Sequence, residues 1–402
     1  MKRGAWFNRF EGATAGMPHA TREALARLDE ALFALWNLGD NVLLAWTHGE
    51  GELLVLPARH YAIPEMLHDR SADESALIEA RQFINEVLSG PKYLARAEFD
   101  GVCEAFGSRP EAVPLGVPIA NDELAALVSE MVRCYGVSLV RDRAVILLDA
   151  VEFSLRSPLD QMAMLNSLAY SVNSAYAQLL SKNIRIDFAR TTTGDGFYIW
   201  NRAATPEGNT ELYKLLMMML ADNEIAQQKA RSRWVPRLRA AFHVGEHYEF
   251  HQVEGLNPTN FSYIVGQVTV DLARMVQFAL PGQILLGDFV TTLGEAGSGP
   301  RTRLDTLDFV ESTAATLDQL NGLDLSGGRV ENIRCYVTGR SLDGGGYLVN
   351  RYFLRDKHGT TRIVYNAKIN IHREGAEPIY LGIQNESLRN FNAVRVEPLK
   401  RP

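Results

Sequence analysis

The sequence predicts an α/β (α+β) protein, for three reasons. Ala144–Leu148 is a continuous apolar run of the length expected for a buried strand. Leu165, Leu168 and Val172 follow it at helical spacing. After about residue 320, apolar and polar residues alternate, most clearly from Ile363 to Ile371. Helices and strands therefore alternate in the middle of the chain, and strands predominate at its end.

The order of elements in the middle segment is that of a ferredoxin-like fold with additions. Ser157 and Pro158 predict the N-cap and the first residue of a helix. Gly194-Asp195-Gly196 predicts the tip of a β-hairpin. The predicted order is strand, helix, hairpin, helix, strand, helix, strand, which fits a ferredoxin-like α/β sandwich. The other elements are a strand at Ile184–Phe188, a helix through Leu212–Met219, a strand at Ala240–Val244, a helix at Val265–Ala279 and a strand at Gln283–Leu286.

The chain length of 402 residues allows two or three domains. Helical patterns occupy 20–46, 75–88 and 122–135, and three prolines between 110 and 118 predict a linker. The predicted division is a helical N-terminal region of unknown role over 1–135, an α/β domain over 140–320 and a small β-rich domain over 325–402.

Composition limits the partners and the compartment. The net charge of −7 argues against nucleic acid as the main partner. We interpret the basic stretch from Lys229 to Arg239, around Trp234, as a solvated loop rather than a nucleic-acid patch. Three widely spaced cysteines and the absence of a secretory pattern predict a cytoplasmic protein with reduced thiols. Its longest apolar runs are too short to span a bilayer, so no membrane partner is expected.

Two aspartates are candidate metal ligands. Asp149 ends the first buried strand, and Asp195 lies at the tip of the hairpin predicted to pair beside it. Two neighbouring carboxylates repel each other, and Mg²⁺ or Mn²⁺ relieves that repulsion because both ions prefer oxygen ligands. The alternative is that each aspartate only ends a strand or makes a turn. His243, His247 and His251 have the spacing of a helical metal site, but they lie in a predicted strand, so we favour a non-metal role.

Five short motifs occur in the same order as in a known family. The sequence from Asp149 to Ser154 resembles the first-strand motif of class III nucleotide cyclases, and Thr193–Phe197 resembles their hairpin motif. The other three are Ala241–Gly245, Gly266 with Leu272-Ala273-Arg274, and Pro281–Leu285. The chain is therefore similar to class III (adenylate/guanylate) cyclases over roughly residues 140 to 290.

This resemblance implies a metal-dependent phosphorus–oxygen lyase. It assigns two divalent cations, Mn²⁺ or Mg²⁺, to Asp149 and Asp195, with the Ala150 carbonyl as a further ligand. It assigns phosphate contacts to the backbone amides of Val151, Glu152, Phe153 and Ser154. Arg274 would stabilise charge on the α-phosphate while the ribose 3′-hydroxyl attacks and pyrophosphate leaves. The family builds its sites between two cyclase domains, which implies a homodimer with sites at the interface.

The chain departs from the family at the positions that read the base. Thr191 and Tyr263 replace the family's adenine-reading Lys and Asp. The bulk of Tyr263 favours a smaller ring, so we expect a pyrimidine substrate whose edge meets Arg190 and Thr191. Val270 replaces the family's transition-state Asn. Arg301 and Arg303 are the candidates for its phosphate-binding Lys.

The whole chain resembles the Pycsar antiphage cyclases, which make cUMP or cCMP to switch on an effector. Its C-terminal segment resembles the AGS-C sensor domain of defence-system cyclases. We therefore expect a uridylate cyclase that converts UTP to cyclic UMP and acts on its effector through that product. The alternatives are a cytidylate cyclase making cCMP, a conventional adenylate or guanylate cyclase, and a non-catalytic nucleotide sensor with the cyclase fold.

Overall fold

The computed structural model describes residues 7–119, 121–205, 207–231, 234–254, 259–293, 302–343 and 346–401. The chain divides into two compact units. The first consists of Met1–Arg141 and His247–Val265, and the second of Asp142–Glu246 and Gly266–Pro402.

The α-helices among the described residues are α1 (Glu11–Thr14), α2 (His19–Trp36), α3 (Ala62–Asp69), α4 (Glu74–Ser89), α5 (Arg96–Phe106), α6 (Asp122–Arg133), α7 (Pro158–Ser181), α8 (Gly208–Lys229), α9 (Gln267–Phe278) and α10 (Thr306–Ala314). None of the described helices is long and apolar enough to cross a membrane.

The strands of the same residues are β1 (Asn41–His48), β2 (Leu53–Arg59), β3 (Glu111–Val113), β4 (Val137–Ala150), β5 (Phe188–Thr192), β6 (Gly196–Asn201), β7 (Leu238–Glu254), β8 (Thr259–Val265), β9 (Ile284–Gly287), β10 (Val290–Leu293), β11 (Thr302–Asp305), β12 (Arg329–Tyr336), β13 (Thr338–Ser341), β14 (Tyr347–Arg355), β15 (Thr361–Glu374), β16 (Ala376–Leu381) and β17 (Arg395–Arg401). The mixture of helices and strands confirms the predicted α/β fold class.

The first unit contains an antiparallel three-stranded sheet in the order β1-β2-β3. The helix predicted over 20–46 is wrong beyond Trp36, because Asn37, Leu38 and Gly39 all have positive φ and end α2. The chain then enters β1. The predicted linker at 110–118 is also wrong, since β3 lies there and pairs with β2. The predicted helices at 75–88 and 122–135 are confirmed as α4 and α6.

The second unit is built on a large mixed sheet whose main order is β13-β14-β15-β9-β7-β4-β6-β5. Apolar residues of β4, α7 and α8 share one buried core cluster, which fixes the helices against the sheet. The C-terminal strands continue this sheet, because β15 pairs with β9 from Val364↔Gly287 to Ala367↔Ile284. The division into three domains stays a prediction. In the structure, the regions predicted over 140–320 and 325–402 contribute to one compact unit.

The start of α7 and the hairpin agree with the sequence patterns. The Ser157 hydroxyl accepts a hydrogen bond from the Asp160 amide, and Pro158 begins the helix. Strands β5 and β6 form the predicted hairpin, but the first strand starts only at Phe188, so the strand predicted at Ile184–Phe188 is displaced. Ile184 and Ile186 are buried in the core from irregular backbone, which produces the same alternation of apolar and polar residues as a strand.

Candidate active site

The two aspartates are brought together because the hairpin closes on the end of β4. Asp149 lies opposite Gly196 in the antiparallel pairing of β4 with β6. The Ala150 amide donates a 2.9 Å hydrogen bond to the Asp195 carbonyl. A Cβ at Gly196 would lie 1.8 Å from the Leu148 carbonyl oxygen, so only glycine allows this approach. The second glycine of the Gly-Asp-Gly turn is therefore required by packing.

The threonines before Asp195 fix the hairpin turn. Gly194 has a φ of +97°, which favours glycine, and its amide donates to the Thr192 hydroxyl at 3.1 Å. The Thr193 hydroxyl donates to the Asp195 carboxylate at 3.2 Å. These contacts hold the half-buried Asp195 side chain at the tip of the hairpin.

The Asp149 side chain is 13% exposed. Arg239 on β7 donates to one of its carboxylate oxygens from two nitrogens, at 2.7 and 2.5 Å. Burial raises the pKa of Asp149, Arg239 opposes that rise, and the charge and hydrogen bonding of Asp195 add to it. The two carboxylates therefore interact directly, and among the described contacts Arg239 pairs with Asp149.

The chemistry of this donor set fits a hard divalent cation. Mg²⁺ and Mn²⁺ bind to one or two carboxylates and take their remaining ligands from water and substrate phosphates. The described residues contain no group of three or more His, Cys, Asp or Glu side chains suited to a metal. An ion bound at Asp149 and Asp195 would take its remaining ligands from water or from substrate phosphates.

The loop after β4 lies beside an arginine-lined cavity of about 520 Å³. The Val151 amide donates to the Arg237 carbonyl at 2.9 Å, so this amide is not available to a phosphate, contrary to the expectation for it. Glu152 has a φ of +58° and pairs with Arg156 at 3.1 Å. Phe153 and Ser154 follow in a short 3-10 helix, with Ser154 exposed.

Arg274 belongs to a different cluster of charges. It lies on α9, donates to Gln277 at 3.2 Å and has its Nε atom 4.0 Å from Asp356, in the turn between β14 and β15. The interactions described for Asp149 and Asp195 do not include it. Within one chain, the structure thus assembles the two aspartates with Arg239 and gives Arg274 other partners.

The residues predicted to meet the base lie in separate parts of the fold. Arg190 and Thr191 are on β5, and the Arg190 guanidinium lies 5.4 Å from the centre of the Phe197 ring. Burial lowers the pKa of Arg190. Tyr263 is on β8 in the first unit, where it stacks on Phe250 at 5.7 Å.

Two further positions that depart from the family, Val270 and Arg303, are exposed. Val270 on α9 is 45% exposed. Arg303 is exposed on β11, whereas Arg301 lies outside the described residues. Their places in a nucleotide complex stay predictions.

Sequence reasoning missed Arg239 as part of the site. It lies in a stretch of several basic residues, which was interpreted as a solvated loop, but the structure places it on β7 with its charge directed at Asp149. Tyr198 was also missed, and its hydroxyl donates to the Thr269 carbonyl at the start of α9. The alternation of Arg237 and Arg239 with the apolar Leu238 and Ala240 is a signal that the strand began before Ala240.

The chain was compared with known proteins. No family model matches it, and no curated protein matches it. Among solved structures, it is similar to the adenylyl cyclase CyaB from P. aeruginosa, with 10% identity, coverage of 57% of this chain and 95% of that one, and a TM-score of 0.33. It is also similar to the guanylate cyclase domain of RhGC from Catenaria anguillulae in complex with GTP, with 13% identity, coverage of 59% and 99%, and a TM-score of 0.33. At such scores, a function has to be argued from the chain's own residues.

Proposed function

We propose that this protein is a metal-dependent nucleotide cyclase that acts on a pyrimidine triphosphate, with UTP favoured. The observation that carries the proposal is the pair of interacting carboxylates at one edge of the sheet, Asp149 and Asp195, held together by backbone pairing. Such a pair costs stability unless a cation binds to it. A strictly structural turn would not need a second acid beside the first.

The substrate's ribose 3′-hydroxyl would attack its own α-phosphorus, forming the cyclic ester while the bond to pyrophosphate breaks. Asp149 and Asp195, with the Ala150 carbonyl, would hold two divalent cations. These ions, when bound, neutralise phosphate charge and increase the acidity of the hydroxyl. The protein's own contribution is to keep the two carboxylates rigid, through the Ala150 amide and the Thr193 hydroxyl.

Arg239 and Arg274 supply the positive side chains. Arg239 satisfies Asp149 in the absence of other cations, and it becomes free to bind a phosphate oxygen when Asp149 has another cationic partner. Arg274 would stabilise the charge that develops at the α-phosphate in the transition state. Because its described partners in its own chain are Gln277 and Asp356, we assign it to the site of a second subunit. The active form is then a homodimer with two sites.

The pyrimidine preference depends on two substitutions. Thr191 on β5 has a short side chain with one donor and acceptor group, and Tyr263 is a large ring at the other base-reading position. The Lys and Asp with which the family reads adenine are both absent from these two positions, and the bulk of Tyr263 leaves room for a smaller ring. A uracil or cytosine ring is the better match, with Arg190 and Thr191 at its edge. The resemblance to the Pycsar antiphage cyclases extends the proposal to a role in antiphage defence, through a cyclic-nucleotide effector.

A product assay tests this function. The purified chain is incubated with Mn²⁺ and, separately, UTP, CTP, GTP and ATP, and the cyclic products are resolved. The proposal predicts cyclic UMP, or cyclic CMP, and its loss in Asp195→Ala. A cyclic purine would contradict the interpretation of Thr191 and Tyr263 but retain the chemistry. If no nucleotide gives a product, a non-catalytic nucleotide sensor accounts better for the chain, and the substitution at Val270 favours it.

A further inference from the structure

Four charged side chains of the second unit form one connected group, defined here as the α9 charge cluster: Asp271, Arg274, Asp356 and Arg362. The Arg362 Nε donates to Asp271 at 2.5 Å, and its terminal nitrogen donates to Asp356 at 2.7 Å. Arg274 completes the group, with Nε 4.0 Å from the same Asp356 oxygen that Arg362 binds. The cluster therefore joins α9 to the turn before β15.

Asp356 is held rigidly within this cluster. Its other carboxylate oxygen accepts hydrogen bonds from the backbone amides of His358 and Thr360, at 2.9 and 3.0 Å. Gly359, with a φ of +85°, completes the turn. The side chain is 6% exposed, so it has little freedom to move away. One oxygen thus fixes the turn, and the other faces two arginines.

The charges in the cluster balance. Asp271 and Asp356 contribute two negative charges, and Arg274 and Arg362 two positive ones. His243 lies 3.9 Å from Asp271, and burial lowers its pKa to about 4, so it is neutral near pH 7. Arg362 is 12% exposed and bridges both acids in a fork that only a guanidinium provides. The cluster needs no external ion, unlike the pair at Asp149.

The contact to Arg274 uses one edge of its guanidinium. Asp356 faces Nε, and Gln277 accepts from one terminal nitrogen. The side chain is 24% exposed, so the remaining donors are accessible from outside. At 4.0 Å, the Asp356 carboxylate attracts the Arg274 guanidinium electrostatically without a hydrogen bond, which favours one direction of the side chain while its terminal donors stay accessible to an oxyanion.

We propose that Asp356, clamped by Arg362, is a positioning residue that aims Arg274 at the phosphate in the active site. The turn between β14 and β15 thereby contributes to catalysis by orienting Arg274, although it lies far from Asp149 and Asp195 in the sequence. This inference rests on the proposed function. It adds a role for the C-terminal strands that the five cyclase-like motifs, which end at about residue 285, do not contain.

The test is a double-mutant cycle on cyclase activity. Asp356→Asn is made in the wild type and in an Arg274→Lys background, and Lys357→Gln, an exposed neighbour in the same turn, is the matched control. We expect Asp356→Asn to lower kcat about tenfold with KM nearly unchanged. A misdirected Arg274 guanidinium loses more stabilisation of the transition state than of the bound substrate. In the Arg274→Lys background the same change should have almost no further effect. Arg362→Lys should reproduce the kcat loss.

Two measurements distinguish the positioning of Arg274 by Asp356 from unfolding of the variants. Melting temperatures of all variants show whether Asp356→Asn and Arg362→Lys remain folded at the assay temperature, and Asp356→Glu should recover part of kcat. An equal loss in the Arg274→Lys background, or a gain in activity on freeing Arg274, would overturn the inference. So would unchanged kinetics in Asp356→Asn while the wild type is active. A wild type that cyclises no nucleotide would instead defeat the proposed function, and the inference with it.

Discussion

Two charged groups in the second unit differ in how their charges are satisfied. At the end of β4, Arg239 pairs with one of two neighbouring carboxylates, and the pKa of that acid, Asp149, is raised by burial. In the α9 charge cluster, two acids meet two arginines, and the hydrogen bond from Arg362 lowers the pKa of Asp356. Within the described contacts, the first group has two acids and one arginine, so its charge is negative. The second has two acids and two arginines, so its charges balance.

The difference indicates different roles. A cation that binds to a group with uncompensated negative charge stabilises the folded protein, so such a group suits a site for ions and phosphates. A balanced group gains nothing from an added ion, and its rigidity suits the orientation of a side chain. We therefore assign ion binding to Asp149 and Asp195, and orientation to Asp356 and Arg362. The following predictions change one group at a time.

Removing one acid from the unbalanced pair should give the largest effect. Asp195→Asn is expected to lower product formation at least about 100-fold, because a preorganised electrostatic contact is lost. Without divalent ions, the same variant should melt no lower than the wild type, since it relieves repulsion at Asp149. Product assays and melting curves measure the two effects. Asp69→Asn, an exposed acid of the first unit, is the control. A parallel loss of stability and activity would argue for a merely structural acid.

Substitutions of the glycines on either side of Asp195 test two effects separately, steric overlap at Gly196 and backbone strain at Gly194. Gly196→Ala should destabilise the second unit by about 2–4 kcal/mol, since its Cβ overlaps the Leu148 carbonyl. A Cβ at Gly194 would have no atom within 4 Å, so Gly194→Ala should lower the free energy of unfolding only by the strain of its positive φ, about 1 kcal/mol. Denaturant unfolding measures both. Equal effects would contradict the close approach of the hairpin to β4.

The balanced cluster predicts acid sensitivity through His243. Its folded pKa of about 4 lies below its unfolded value of 6.5, so the unfolded state binds more protons between these limits. Stability should therefore be full above pH 6.5 and fall as the pH drops towards 4, by at most about 3 kcal/mol. Urea unfolding at several pH values measures this slope, and His243→Gln should remove most of it. If the pH dependence of the free energy of unfolding is unchanged in His243→Gln, the acid sensitivity arises from other titratable groups.

Removing the arginine of the unbalanced pair should give a modest loss of stability. Arg239→Met is expected to cost about 1–3 kcal/mol without metal, because Asp149 loses charge-assisted hydrogen bonds. Added Mn²⁺ should then raise the melting temperature more than in the wild type, where the ion competes with Arg239. Thermal melts across a Mn²⁺ titration test this. An identical Mn²⁺ response in both proteins would show that the ion does not bind at Asp149.

Local patterns predicted the parts of the fold that are set locally. The Gly-Asp-Gly hairpin and the Ser157 cap depend on turn and capping chemistry within a few residues. The contact of Asp356 with Arg274 on α9 joins distant segments and has no local sequence pattern. The helix predicted over 20–46 ended too late, because the apolar residues of β1 pair with β2 instead of extending α2.

Contacts between distant segments could not be predicted in this way. The pairing of β15 with β9 and the ion pair of Arg239 with Asp149 depend on which strands become neighbours in the sheet. No local preference specifies those neighbours. The two acids were found because each ends its own strand, whereas Arg239 is defined as a site residue only by its partner.

The most direct test of the account asks whether the two groups serve one site across two subunits. Asp195→Ala and Arg274→Ala are purified separately, shown to be inactive, and mixed in equal amounts under conditions that allow subunit exchange. In a two-fold dimer, one of the two sites in each mixed dimer would have both groups intact, so activity should return to about a quarter of the wild-type value. If the mixture stays inactive while gel filtration shows mixed dimers and the wild type is active, the acid pair and Arg274 do not complete each other's site.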